Sequence, residues 1–403
     1  MNLPLPDNNP KHAFLLRAGK LLHRYGTPSF RFEGVMDKIA RSLHVPATFL
    51  YTPTSLIVEL GEGDQSRVRV IRIESTDTDI SKILAIDSVL EQVECKEIDP
   101  VAAIERLEQI DQAGPPFSPT AQLAAATTVS AGLATLFGGG IVEALVTAVF
   151  GLLIGLFSMG RARTPQPGLF EPLVGFLVAL AAVSLAHWIN LNDRLVTLAV
   201  LVLPIPGLAL TIALTELALG HLASGSARLA GAMVKLFTLV VGVALAWRIT
   251  ENWAGAAAPP VQAPAELILW LVIAVSSVAF AILFKAPVSE WAAIVLVVIA
   301  GFLASRIVSA LAGVELASFA GAFAVGCGSN TYARLRNRPA MIPQTPGLLI
   351  LVPGSLGYRS LTAMVEHDML LGVELAFSMS IVGVALVGGL LFANLVISPR
   401  RLL

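Results

Sequence analysis

Two proline–glycine pairs, Pro206-Gly207 and Pro353-Gly354, interrupt long apolar stretches. Hydroxyl side chains follow each: Thr211 and Thr215 after the first, Ser355, Tyr358 and Thr362 after the second. Proline withholds a backbone N–H and clashes with the preceding helical turn, and glycine tolerates the opened geometry. Backbone groups freed in this way are costly in hydrocarbon unless they line a cavity or meet protein. The half-helix starting after each glycine turns N–H groups and a positive dipole end toward the break, which suits a carboxylate. The carbonyls freed near Leu203 and Ile350 suit an ammonium or a hydroxyl. A lone proline would read as a simple kink in a packed helix; the matched pair favours a central polar cavity that binds a small molecule.

Other polar groups inside apolar stretches are further candidates. Asn330 lies in the small, polar run Gly326-Cys327-Gly328-Ser329-Asn330-Thr331, whose competing role is close helix packing. Glu143, Glu290 and Lys235 are candidate proton carriers, weighed against interfacial charges and a lysine snorkelling to the cytosol. Asp193, Glu216, Glu315, Glu366 and Asp368 read as loop charges. No nucleophile elbow, P-loop or metal-ligand cluster is visible, so no catalytic residue, cofactor or metal is expected. The chain is therefore not read as an enzyme, and transport would be passive or driven by an ion gradient. Cys95 and Cys327 fall in different compartments and are not expected to pair. A net charge of −1 without a basic tract argues against nucleic acid.

The elements that carry these residues follow from composition. The 403 residues are 55% hydrophobic and 14% charged, against about 25% charged in soluble domains. Residues 1–118 hold 13 Lys/Arg and 17 Asp/Glu, more than half of all charges. The Pro-rich hinge at 114–119 therefore closes a small cytosolic α+β domain, 1–118. Its expected elements are helices at 13–25 and about 29–43, strands at 54–60 and 67–74, and helices ending near 93 and 110. The N-terminus lacks an apolar signal segment, consistent with a cytosolic start.

Ten apolar stretches follow, near 119–138, 140–159, 170–190, 194–217, 228–250, 265–285, 288–311, 316–335, 341–364 and 372–397, each near the roughly 20 residues a bilayer requires. Arg161, Arg163, Arg228, Lys285, Arg334, Arg336, Arg338, Arg400 and Arg401 would face the cytosol, and only Arg194, Arg248, Arg306 and Arg359 the outside, as the positive-inside rule prefers. Both termini are then cytoplasmic. One offset, 354 − 207 = 147, aligns the two halves without a gap. It matches Phe137 with Phe284, Glu143 with Glu290, Phe176 with Phe323, Leu214-Thr215 with Leu361-Thr362, Gly225 with Gly372 and Gly242 with Gly389. Five spans is an odd number, so the copies (119–253 and 265–400) must be inverted, the plan of many secondary transporters. The expected fold is an α-helical polytopic membrane protein, a 5+5 inverted-repeat ten-span transporter behind an α+β domain.

The chain resembles the threonine/serine exporter family in its fused form. The resemblance rests on Leu15-Leu16-Arg17-Ala18-Gly19, Gly26-Thr27-Pro28-Ser29-Phe30-Arg31-Phe32-Glu33 and Arg72-Ile73-Glu74 in front. Behind, it rests on Pro343-Gln344-Thr345-Pro346-Gly347 and Leu351-Val352-Pro353-Gly354-Ser355. It implies proton-coupled export of threonine or serine across a bacterial inner membrane, with membrane lipid around the chain and a homo-oligomer as a possible assembly. Split relatives imply the alternative, export of a dicarboxylate such as succinate. The first break, Leu203-Pro204-Ile205-Pro206-Gly207, departs from the family pattern by an extra proline.

Overall fold

The computed structural model describes residues 9–63, 66–73, 77–161, 168–253 and 265–399. Glu74, Arg163, Arg400 and Arg401 and the stretch 254–264 lie outside them.

The front of the chain folds as α1 (Pro10–Arg24), α2 (Ser29–Ser42), β1 (Ala47–Thr52), β2 (Ser55–Leu60), β3 (Arg67–Arg72), α3 (Ile80–Glu94) and α4 (Pro100–Gln112). Local chemistry sets the helix starts. Asn9, Asp79 and Asp99 each accept a backbone N–H of the first turn, and Pro10 and Pro100 stand where a helix needs no donor. The sheet is antiparallel in the order β1-β2-β3. Only two strands were expected. The additional one, β1, is a six-residue run between Pro46 and Pro53 that turns Phe49 and Tyr51 inward. Thr54, expected to open a strand, sits in the turn that pairs Thr52 with Ser55. Phe14, Leu22, Phe32, Met36, Leu56 and Leu107 form a buried core. Met341, from the apolar part of the chain, is buried in the same cluster.

Eleven further α-helices follow among the described residues: α5 (Pro119–Leu136), α6 (Ile141–Arg161), α7 (Phe170–Ala186), α8 (Asp193–Leu201), α9 (Gly207–Ala218), α10 (Leu222–Thr250), α11 (Glu266–Leu283), α12 (Trp291–Arg336), α13 (Met341–Leu349), α14 (Gly354–Val365) and α15 (Met369–Val396). Six helical stretches are long and apolar enough to cross a membrane, and the shorter α7 and α9 are apolar as well. This is a helical membrane protein. At 1.5 Å per residue, α12 with its 46 residues would run about 69 Å, over twice a hydrocarbon core. Gly313, at φ 85° and ψ 174°, divides it into two lengths suited to a bilayer. α10 begins at Leu222, six residues before the expected 228.

The element boundaries repeat at the 147-residue offset. α5 and α11 coincide end to end, as do α9 and α14; α10 matches α15 and α8 matches α13 to within one residue. Matched glycines do matched work. A Cβ on Gly242 would lie 2.0 Å from the Pro172 carbonyl oxygen and 2.9 Å from the Phe176 nitrogen. One on Gly389 would lie 2.3 Å from the Phe319 carbonyl oxygen and 2.9 Å from the Phe323 nitrogen. These glycines let α10 close on α7, and α15 on α12, at backbone distance. Gly225 and Gly372 similarly face the carbonyl oxygens of Ala213 and Ser360, each 3.0 Å from an added Cβ.

The front region docks on one end of this bundle. Ile80 N donates to Phe284 O (3.0 Å), Asp77 pairs with Lys285, and Ser29 N donates to Glu216 Oε1 (3.0 Å). The counterparts of these membrane residues in the other copy sit elsewhere. Phe137, matched to Phe284, shares a cavity with Arg194 and Glu366.

Candidate functional site

The two breaks meet. A Cβ on Gly354 would lie 3.0 Å from Gly207 Cα, and one on Gly207 would lie 3.3 Å from Gly354 Cα and 2.3 Å from Val352 Cγ1. Only glycine permits this approach. Pro206 and Pro353 precede α9 and α14 with similar φ, −78° and −77°. A cavity of about 220 Å³ lies at the junction, lined by offset-matched pairs: Leu133 and Phe280, Val202 and Leu349, Ile205 and Val352, Gly207 and Gly354. Ser355 is its one polar side chain. The junction is therefore mostly apolar, where the sequence pointed to a polar centre: apart from Ser355, the hydroxyls that follow the breaks line other cavities along the two half-helices.

Those hydroxyls line two further cavities, themselves matched at the same offset. Leu208, Thr211, Ile212 and Thr215 line one; Ser355, Tyr358, Arg359 and Thr362 line the other. The first faces the front region and is only about 50 Å³, closed over by Gly26, Pro28, Phe30 and Arg31, with Arg31 bonded to Gln344. The second is about 560 Å³ and adds Asn192, Arg194, Trp247 and Glu366. Thr211, Thr215 and Thr362 donate to carbonyls of their own helices, at 3.3, 2.8 and 3.1 Å.

The remaining candidates stand apart from these cavities. Asn330 Nδ2 donates to Asn394 Oδ1 (2.8 Å) and Ile397 O (2.6 Å), tying α12 to the end of α15. Glu143 is buried and accepts Gly140 N (2.9 Å) and Asn192 N (3.1 Å), which anchors the start of α8 to that of α6. Glu290 is buried, accepts from the Tyr332 hydroxyl and pairs with Arg338. Lys235 lies on the exposed side of α10.

Sequence reasoning read Glu216 and Glu366 as loop charges; Glu366 does sit in the turn after α14, whereas Glu216 lies within α9 and carries an interface. Glu216 is wholly buried, and Arg228 donates to both its oxygens through Nε (3.1 Å) and Nη2 (3.2 Å). Ser29 N completes the set. Arg228 also reaches Tyr51 Oη (3.3 Å), and His221 lies 3.3 Å from Glu33. Burial raises the pKa of Glu33, opposed by the imidazole of His221. Glu366 pairs with Arg194 across the two copies. The one available signal was placement: Glu216 and Arg228 flank the short α9–α10 turn, whereas Gly26-Thr27-Pro28-Ser29 carries part of the family resemblance without pointing to a partner.

Residues 13–250 match the family described as "Putative threonine/serine exporter", and residues 269–396 match "Threonine/Serine exporter, ThrE". The first match ends at the last residue of α10. A "Probable threonine/serine exporter" of Mycobacterium tuberculosis is 23% identical over 92% of this chain and 74% of its own length. The "Threonine/serine exporter" of Corynebacterium glutamicum is 23% identical over 73% and 63%. A "Pheromone-regulated membrane protein 10" of Eremothecium gossypii is 24% identical over 88% and 50%. The chain spans about half the length of the fungal relatives it matches. No solved structure matches it. The chain belongs to the threonine/serine exporter family.

Proposed function

We propose that the protein is a secondary transporter exporting threonine or serine by alternating access, in exchange for protons. The observation that carries this reading is the pair of cavities on either side of the Gly207–Gly354 contact. Their linings match at one offset, yet one is about 50 Å³ and the other about 560 Å³. Matched walls with unequal volumes are what one state of a two-state rocker presents. In this reading ten spans form two inverted five-span copies. Phe284 against the front region, and Phe137 in the opposite cavity, support that inversion. Both termini lie in the cytosol, and the front region, residues 1–118, closes the inner cavity through the Gly26–Pro28 turn and the start of α2. A bacterial inner membrane is the proposed location.

Proteoliposomes loaded with labelled threonine test it. An inward proton gradient should speed release, and collapsing the gradient should remove the increment. Release no faster than from protein-free vesicles would end this reading. Succinate displacing threonine at equal concentration would favour the dicarboxylate alternative, in which each half-helix start receives one carboxylate.

A further inference from the structure

We propose that the large cavity on the face away from the front region is a binding site for a free zwitterionic α-amino acid. Tyr358, Trp247 and Arg194 receive its carboxylate, and Glu366 receives its ammonium. The proposal rests on reading this cavity as the outer half of the transport path, and it names the cargo chemistry that this half selects.

Three observations carry it. First, Tyr358 is 3% exposed, and its hydroxyl is buried with no hydrogen-bond partner in the protein. The Trp247 indole N–H is buried and unpartnered too, and both residues line this cavity. Buried donors are almost always satisfied, so two orphans among the residues lining one cavity mark where a ligand's acceptor belongs. Second, the Arg194 guanidinium stacks 3.5 Å from the centroid of the Trp247 ring, which sets a cation beside those donors. Third, Arg194 pairs with Glu366, and the two side chains are 47% and 46% exposed. A half-exposed pair is weakly held. A zwitterion can part it charge for charge, its carboxylate replacing Glu366 at Arg194 and its ammonium replacing Arg194 at Glu366.

A dianion would set a second negative group beside Glu366 and Asp193, the latter 3.6 Å from Arg194. Arg359 lines the cavity as an exposed cation and attracts anionic ends without selecting between these ligands. At about 560 Å³ the cavity falls within the range of small-molecule sites, about 300–1,000 Å³.

The test uses the full chain in detergent or nanodiscs. Binding of labelled L-threonine is competed with L-serine, threoninamide, lactate and succinate. Threoninamide lacks the carboxylate, lactate the ammonium. Serine should compete, and the other three should be at least tenfold weaker. Tyr358→Phe removes one oxygen, Trp247→Phe removes the N–H together with the five-membered ring of the indole, and each should weaken threonine tenfold or more. Glu366→Gln should erase the preference for threonine over lactate. Succinate or lactate competing as well as serine would overturn the proposal, as would wild-type affinity in all three variants or no threonine binding at all. Transport in vesicles is measured in parallel. Export with binding indifferent to these variants removes the site and leaves the transporter. Variant-sensitive binding without export does the reverse.

Discussion

At the scale of single residues, Glu216 joins the two parts of the molecule. Its carboxylate is wholly buried and held by Arg228 and Ser29 N. Truncating one partner of such a pair strands a charge and costs about 3–5 kcal/mol, whereas replacing both with apolar groups is often near neutral. Arg228→Met should therefore lower the melting temperature and expose the α1–α2 turn to protease, and Glu216→Leu combined with Arg228→Met should restore most of both. A pH effect belongs to this scale as well. His23 stacks on Tyr51 at 4.1 Å and bonds Thr52 O at 2.6 Å. Burial lowers its pKa below 6.5, so the unfolded chain takes up that proton first as pH falls. The stability it contributes is full above 6.5 and declines as pH drops through that value. Melting curves between pH 8 and 5 should show the decline in the wild type and a flatter profile in His23→Phe. Neither role was legible in the sequence. A carboxylate at the end of an apolar run looks the same facing solvent or facing a backbone N–H 187 positions earlier.

Elements were far more legible, because periodicity, capping residues and proline are local. The gap expected between the seventh and eighth stretches, 311–316, contains the Gly313 break. The offset of 147 named in advance the glycines that bring helix pairs together. What escaped was β1, a six-residue strand bounded by Pro46 and Pro53, and the early start of α10, whose first turn carries small polar residues. The junction's side chains were also misjudged: proline and glycine announce a break but not what packs around it. Gly242→Val and Gly389→Val should each abolish a monodisperse detergent peak, since the added carbons would strike backbone. Gly231, with nothing within 4 Å of an added Cβ, should accept alanine with unchanged elution and a stability gain of up to about 1 kcal/mol.

At the scale of the whole molecule, the front region lies over a cavity. Phe30 and Arg31 cover the small cavity, and Met341 is buried in the front core. Phe30→Ala should raise downhill threonine efflux from proteoliposomes and weaken its dependence on the proton gradient. An unchanged ratio of coupled to uncoupled flux would leave the turn without a part in transport. The repeat was legible because it leaves a register in the primary sequence. The closure was not, since it depends on where residues 26–31 dock.

A chain whose element boundaries recur at one offset is ordinarily free to let its halves drift apart. Gly207 and Gly354 limit that freedom at one point: a Cβ on Gly207 would meet Val352 Cγ1 at 2.3 Å and Gly354 Cα at 3.3 Å, and one on Gly354 would meet Ile205 Cγ2 at 2.7 Å and Gly207 Cα at 3.0 Å. A side chain added to either presses first on the opposite break, at Val352 or Ile205, so neither half can alter that position alone. Whatever else the two copies have come to do differently, they hold each other to glycine there.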